Sequence, residues 1–368
     1  MANILDYIKW RGDLSFVQDP PNRVDALIFS ALSYIEFDDL LAGEEPVYLR
    51  NAAEAFFLED NLQERIRVSS DLELLKLAAQ STRFGFCRLC MYRDSLIPEQ
   101  ETQFAALTFL LDDGSGFVAF RGTDYSLVGW KEDFNMSFQQ TVPSQRLAQQ
   151  YVREVAAEYM VPLRIGGHSK GGNMAVFAAA RSSPMVQQRI LEVYNNDGPG
   201  FTEYMMGDPG YLAMVPRIHT FIPQSSVVGM LLEHEEAYTV IKSKTVGLLQ
   251  HDPYSWEVLG KDFIPVEQTT ADARLVDATI KTWFAGLSNQ ERNQLVDVMF
   301  TLLGTGGVEN ALEIFHPRNI RNYVKTLSSD DYMRKVLSTE FQSLLEAARQ
   351  ARQRLEEPQQ LLPDEGSF

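Results

Sequence analysis

Cysteine is nearly absent. The 368 residues hold 2, Cys87 and Cys90. A fold stapled by disulfides is thereby excluded. Their C-x-x-C spacing is shared with redox and zinc sites. No second pair accompanies it, however, and residues 86–92 read as a strand, on which positions three apart point to opposite faces. No metal and no cofactor is expected. Positive charge is also scarce, with 33 Lys+Arg against 50 Asp+Glu and a net charge of −17. That balance argues against nucleic acid and anionic lipid surfaces as partners. Long apolar runs are missing too. No window holds the ~20 uninterrupted apolar residues of a membrane helix. The start, Met1-Ala2-Asn3-Ile4-Leu5-Asp6-Tyr7-Ile8-Lys9-Trp10, has neither the basic region nor the sustained apolar region of a signal peptide. A soluble, cytoplasmic chain without a stable membrane anchor is the expectation. It carries no internal repeat and no low-complexity tract, and it leaves the oligomeric state open.

What is present suffices for one large domain with appendages, or for two domains, since 45% of the residues are hydrophobic. Residues 1–80 read as mostly helical, with amphipathic candidates at 25–34, 51–61 and 70–81. A β region follows. Strands are expected at 84–92, 104–111 and 117–120, the last two joined as a hairpin by Asp112-Asp113-Gly114-Ser115-Gly116. A long loop then leads past Trp130, Asp133 and Phe134 to a helix at 145–159, with Leu147, Tyr151, Val155 and Tyr159 on one stripe. Further strands are expected at 161–165, 190–196, 218–223 and 238–242. Strands alternating with helices in this order build a parallel sheet. Beyond residue 262 helices are expected at 271–284, 288–303, 308–315 and 330–355. The layout is an α/β core at 81–260, a helical N-terminal extension at 1–80 packing on it, a helical C-terminal region at 261–355, and a tail at 356–368 expected to be disordered.

The chain is organised around Gly166-Gly167-His168-Ser169-Lys170-Gly171-Gly172-Asn173. A β-prone run precedes it and an apolar, helix-prone run follows. Strand, glycine-flanked serine and helix in that order make the G-x-S-x-G nucleophile elbow of α/β-hydrolases. Glycine is needed two residues before and after the serine, because a side chain there would strike the neighbouring strand or helix. The hydroxyl then stands at the positive end of a helix, near backbone N–H groups. The alternative is a serine that only caps the helix.

A serine attacks only when a base takes its proton, and the base is usually a histidine oriented by a carboxylate. There are 5 histidines. His168 lies inside the elbow, points away from the serine and reads as packed beneath the turn. His219 falls on a strand, His234 in a charged and presumed-solvated loop, and His316 before Pro317. His251 follows the last core strand in a polar and aromatic loop, where the base belongs. Asp197 ends the strand after the elbow helix and is the best-placed acid. Asp252 is too close in sequence to orient His251, and Glu233 and Glu235 stay open. For the oxyanion hole, one backbone donor is Lys170, after the serine. The other is Thr123, in the loop Arg121-Gly122-Thr123-Asp124 that follows an earlier core strand.

These residues resemble the class 3, fungal-type lipases. Phe120-Arg121-Gly122-Thr123, then Trp130 and Asp133, then Gly167-His168-Ser169-Lys170-Gly171-Gly172, and His251 with Tyr254, follow that family's F-R-G-T, W-x-x-D, G-H-S-x-G-G and H-x-x-Y in order. The likeness covers about residues 100–256. The flanks, with Asp6-Tyr7-Ile8-Lys9-Trp10-Arg11-Gly12-Asp13, resemble a bacterial lipase-like family whose elbow carries lysine after the serine. The resemblance implies an α/β-hydrolase fold and a serine hydrolase cleaving a small-molecule or lipid ester. It implies Ser169 as nucleophile, His251 as base, and Thr123 and Lys170 as oxyanion donors. It fails at the acid. Class 3 lipases carry it one strand later, where this chain has Gln224-Ser225-Ser226; Asp197 instead resembles the acid position of pancreatic-type lipases. Lys170 replaces the usual leucine, and its ammonium either adds positive potential, binds an acidic substrate group or pairs with a structural carboxylate. A thioesterase or amidase using the same residues, and a catalytically weak binding protein on a lipase fold, are the competing readings. Residues 227–232 and the late helices are candidates to cover the site.

Overall fold

The computed structural model describes residues 2–41, 43 and 45–356. The tail for which disorder is expected lies, past Glu356, outside the described residues. One sheet runs through the molecule as β1 (Val47–Tyr48), β2 (Arg88–Ile97), β3 (Thr102–Leu110), β4 (Gly116–Phe120), β5 (Leu163–His168), β6 (Ile190–Asn196), β7 (Ile218–Pro223) and β8 (Tyr238–Ile241), side by side in chain order. β1 to β4 pair antiparallel and β4 to β8 parallel. The β3–β4 hairpin turns through Gly114, whose φ of +80° suits glycine.

Alternation along the strands feeds two cores, one on each face. On β3, Phe104 and Ala106 face the helices Pro143–Glu158 and Lys170–Ala180, through Tyr151, Val152, Val155 and Met174. Leu107 and Phe109 face the opposite way, onto the helices Arg23–Leu32 and Ser70–Gln80. Every residue of β3 is buried in consequence. Phe29 is the hub of this second core, in ring contact with Phe16, Phe84, Phe109 and Phe117. The N-terminal helices therefore form a full layer of the three-layer architecture. Deep within that layer Arg83 donates to both oxygens of Asp25, with neither side chain exposed.

Two expectations need correction. The stretch after Thr123 is not a plain loop: Ser126 accepts the Gly129 N–H and caps a helix, Leu127–Asn135. Residues 308–315 hold only a 3-10 turn, Ala311–Glu313, and the helix starts later, at Pro317–Ser329. Gly306 and Gly307, at φ +85° and +79°, interrupt the chain before it. Pro317 opens that helix at its first turn, where no N–H is needed. The C-terminal helices Ala271–Ala285, Asn289–Leu303, Pro317–Ser329 and Asp331–Glu356 meet the core through the 127–135 helix, whose Leu127 packs with Val296, Phe300, Val308, Ala311 and Ile314. Among the described residues, no helix is long and apolar enough to cross a membrane.

Candidate active site

β5 ends at His168, the helix starts at Lys170, and Ser169 between them sits at φ 60°, ψ −134°. A non-glycine residue held there costs about 1–3 kcal/mol and marks a built feature. The flanking glycines explain how it is tolerated. A Cβ on Gly167 would lie 2.2 Å from the backbone of Gly171, and one on Gly171 would lie 2.2 Å from the Phe120 carbonyl. The elbow thus packs directly on the end of β4. Gly122 closes the same contact, since its Cβ would meet the Ser169 Cβ at 2.9 Å and the His168 carbonyl at 2.5 Å. The Arg121–Thr123 turn therefore lies against the serine, and Thr123 follows at the site expected for a second oxyanion donor. Its hydroxyl donates to Asp133 Oδ2 at 2.6 Å. Arg121 anchors the turn from below through two hydrogen bonds to Asp94.

His251 and Asp197 come together. The imidazole Nδ1 stands 2.7 Å from Asp197 Oδ2, and the carboxylate is fully buried. Asp197, at the end of β6 with φ 57°, also accepts from the Ser226 hydroxyl at 2.5 Å and the Gly229 N–H at 3.2 Å. Ser226 occupies the neighbourhood where class 3 lipases carry their acid. Here that position holds the carboxylate rather than supplying it. Next to Asp197, Gly198 touches the elbow: a Cβ there would lie 2.4 Å from the Ser169 carbonyl. Asp197, His251 and Ser169 are gathered at one end of the parallel strands. Among the described residues no group hydrogen-bonds the Ser169 hydroxyl, and the serine–histidine bond itself is not made. Unliganded catalytic sites often close that bond only with substrate.

Sequence reasoning overlooked the supports. His168 is more than filler beneath the turn: one ring nitrogen, Nε2, lies 2.7 Å from the His251 carbonyl, and Nδ1 lies 3.0 Å from the Tyr34 hydroxyl. A carbonyl only accepts, so Nε2 carries the proton and Nδ1 accepts from Tyr34. Burial first, and then the electrostatic influence of His251 and the Arg67 guanidinium, push the His168 pKa well down, which keeps the ring neutral. The N-terminal layer holds the same loop. Tyr254 donates to Asp71 at 2.6 Å, Asn3 donates to the Tyr254 carbonyl at 2.9 Å, and Arg67 pairs with Asp252 at 3.4 Å. The H-x-x-Y spacing was the one visible trace of this brace. His234 is not in a solvated loop. Its side chain is 7% exposed, bonded to Glu236 and to the Gly229 carbonyl.

Lys170 resolves in favour of the structural carboxylate. Its ammonium is 1% exposed and donates to Glu132 Oε2 at 3.0 Å and to the Gln103 carbonyl at 2.9 Å. Glu132 is fully buried and also accepts the Gln103 and Ser144 N–H groups. The ammonium is thus consumed in tying the 127–135 helix to the elbow and is not offered to a substrate. Its neighbour Asp133 is pushed up to about 6, by burial first, against the pull of Lys170 and the Thr123 hydroxyl. Glu233 and Glu235 serve elsewhere: Glu233 pairs with Lys281 and Glu235 accepts the Gly207 N–H. His219 lies beside Glu192, and His316 caps its helix. Residues 227–232 form a short 3-10 turn at Val228–Met230 beside Asp197.

An open parallel sheet, an elbow serine between its strand and helix, and a histidine on the loop after its last strand define the α/β-hydrolase fold. Within that class, the chain matches the Mbeg1-like family over residues 78–301 and belongs to it. No curated protein matches. Among solved structures it is similar to a fungal lipase at 13% identity, covering 67% of this chain and 84% of that one, with a TM-score of 0.40. It is similar at the same identity and TM-score to a mutant form of MDLA from Penicillium cyclopium, covering 67% and 86%. The Rhizomucor miehei lipase–propeptide complex is matched at 12% identity, over 64% of this chain and 79% of that one, with a TM-score of 0.38.

Proposed function

We propose that the chain is a serine hydrolase that cleaves a carboxylic ester through an acyl-enzyme on Ser169. The observation that carries the reading is the 2.7 Å bond between His251 Nδ1 and the buried Asp197 carboxylate, on a loop tied to the elbow through His168. An accepting carboxylate fixes the proton on Nδ1 and leaves Nε2 free to take the serine proton. Ser169 Oγ attacks the ester carbonyl while its proton passes to His251. The oxyanion is met by the backbone N–H groups of Lys170 and Thr123 at the helix N-terminus. His251 returns the proton to the leaving alkoxide. Water then repeats the sequence on the acyl-enzyme and releases the acid. Neither metal nor cofactor enters this scheme. The lysine after the serine is read as the mark of the bacterial lipase-like group that the chain resembles.

Thioesters and amides are open to the same machinery, and a panel of acyl thioesters, p-nitrophenyl esters and anilides ranks the three. A fluorophosphonate probe is expected to label the wild type and to leave Ser169→Ala unlabelled. A folded wild type that takes no probe would sink the proposal. The unmade bond at the Ser169 hydroxyl favours a second reading, a catalytically weak binding protein on this fold, which that same result would support.

A further inference from the structure

We propose that His234 is a positioning residue for the candidate acid: bridging the Gly229 carbonyl and Glu236, it holds the turn that grips Asp197. The inference rests on the reading of Asp197 as the group that orients His251.

The chain of contacts is short. Asp197 Oδ1 accepts from the Ser226 hydroxyl and the Gly229 N–H, and Ser226 Oγ also receives that N–H at 3.0 Å. On its other side the Gly229 peptide presents its carbonyl to His234 Nε2 at 3.0 Å. His234 Nδ1 faces Glu236 Oε1 at 3.2 Å. Glu236 is nearly sealed from solvent and accepts two further hydroxyls, from Tyr211 at 2.6 Å and Thr220 at 2.5 Å. Burial alone would raise its pKa, but the bond and charge of His234 and the two hydroxyls outweigh it and bring the value down to about 2. The ring thus ties the Gly229 carbonyl to a buried side chain that is itself anchored from two further elements, through Tyr211 and Thr220.

Groups facing His234 from its surroundings are few. Tyr238 on β8 lies edge-on at 6.4 Å between ring centroids. Tyr211 and Thr220 reach it only through Glu236. Glu233 turns outward to Lys281, Glu235 turns to Gly207, and Asp197 stands on the far side of the Gly229 peptide. Glu236 is the single carboxylate in contact with the ring among the described residues. The consequence is that losing the His234 bridge frees the 226–230 turn and slackens Asp197.

The test compares full-length wild type, His234→Gln and His234→Leu. The glutamine keeps a donor for the Gly229 carbonyl and the leucine keeps none. Fluorophosphonate labelling rates are read with thermal unfolding as the fold control. His234→Gln should label within about threefold of wild type, and His234→Leu at least tenfold more slowly. If the leucine variant does not fold, His234→Ala takes its place with the same expectation. A folded leucine or alanine variant that labels at the wild-type rate overturns the proposal. A readout without turnover separates this from the hydrolase reading: the deshielded Nδ1 proton of His251, followed by proton NMR. It should persist in wild type and His234→Gln and weaken or shift in His234→Leu, even if the chain takes no probe. An unchanged signal in His234→Leu counts against the proposal.

Discussion

Replacing Asp197 by asparagine changes one atom and reverses the logic of the site. The carboxylate accepts three bonds in a fully buried position, from His251 Nδ1, Ser226 Oγ and Gly229 N. Asparagine offers one accepting oxygen and one donating nitrogen. If its oxygen stays with the two donors Ser226 and Gly229, its amide nitrogen faces His251 and forces Nδ1 to accept. The imidazole proton then sits on Nε2, and the ring cannot take the serine proton. The flipped amide meets two donors with a donor, at about 1–3 kcal/mol for each buried bond lost. The first orientation prevails, and the wrong tautomer follows. A loss of about 10⁴ in kcat is expected, about 5.5 kcal/mol of transition-state stabilisation, with KM little changed. Hydrolysis of p-nitrophenyl butyrate and the fluorophosphonate labelling rate report it. Asp252→Asn is the control; that carboxylate serves Arg67 and its loss should cost less than tenfold. Activity of Asp197→Asn within tenfold of wild type would refute Asp197 as the orienting group. Adding Ser226→Asp to Asp197→Asn returns a carboxylate from the next strand and should recover part of the rate.

Lys170→Met leaves Glu132 buried without its cation, and breaking such a pair typically costs about 3–5 kcal/mol; a drop in Tm should be largely reversed in Lys170→Met with Glu132→Gln. Arg83→Met strands the equally buried Asp25, and denaturant unfolding should show a loss of about 3–5 kcal/mol with labelling chemistry otherwise intact. Asp133, raised to about 6, binds a proton in the folded chain that the unfolded chain releases near ~4. Its contribution to stability is therefore full below that lower value and lost as pH rises through about 6. Thermal melts between pH 5 and 7 should show wild type losing stability relative to Asp133→Asn, and parallel curves would contradict the shift.

The elbow and the sheet were legible because their signals are local. Glycines two residues either side of Ser169 must be glycine for backbone reasons, and strands such as residues 190–196 and 218–223 are bounded by turn residues. Asp197 was singled out from its place after the strand that follows the elbow helix, and it does lie beside His251. What sequence could not supply was partnership across long separations. Ser226 reads as a missing acid until the carboxylate beside it is seen. His168 and His234 read as filler and solvated loop because their partners, the His251 and Gly229 carbonyls, leave no mark in side-chain chemistry. The helix at Leu127–Asn135 was missed because its amphipathic signal is weak; its Glu132 is buried by an ion pair rather than by apolar packing. The helix expected at 308–315 begins instead at Pro317, after two glycines of positive φ.

The brace on the histidine loop has a bearing on how the protein is made. Asn3 bonds the Tyr254 carbonyl across 251 positions, Arg23 bonds Asp262 across 239, and Asp71 bonds Tyr254 across 183. The N-terminal layer can pack on β3 and β4 through Phe29 once residues 109–117 exist, but its bonds to the histidine loop wait for residues 252–262. Contacts that distant must repay a large loop-closure entropy, and chains dominated by them fold slowly and expose apolar surface meanwhile. The delay has a second side: a chain released before residue 251 carries the serine elbow but lacks the histidine that the proposed mechanism uses as base.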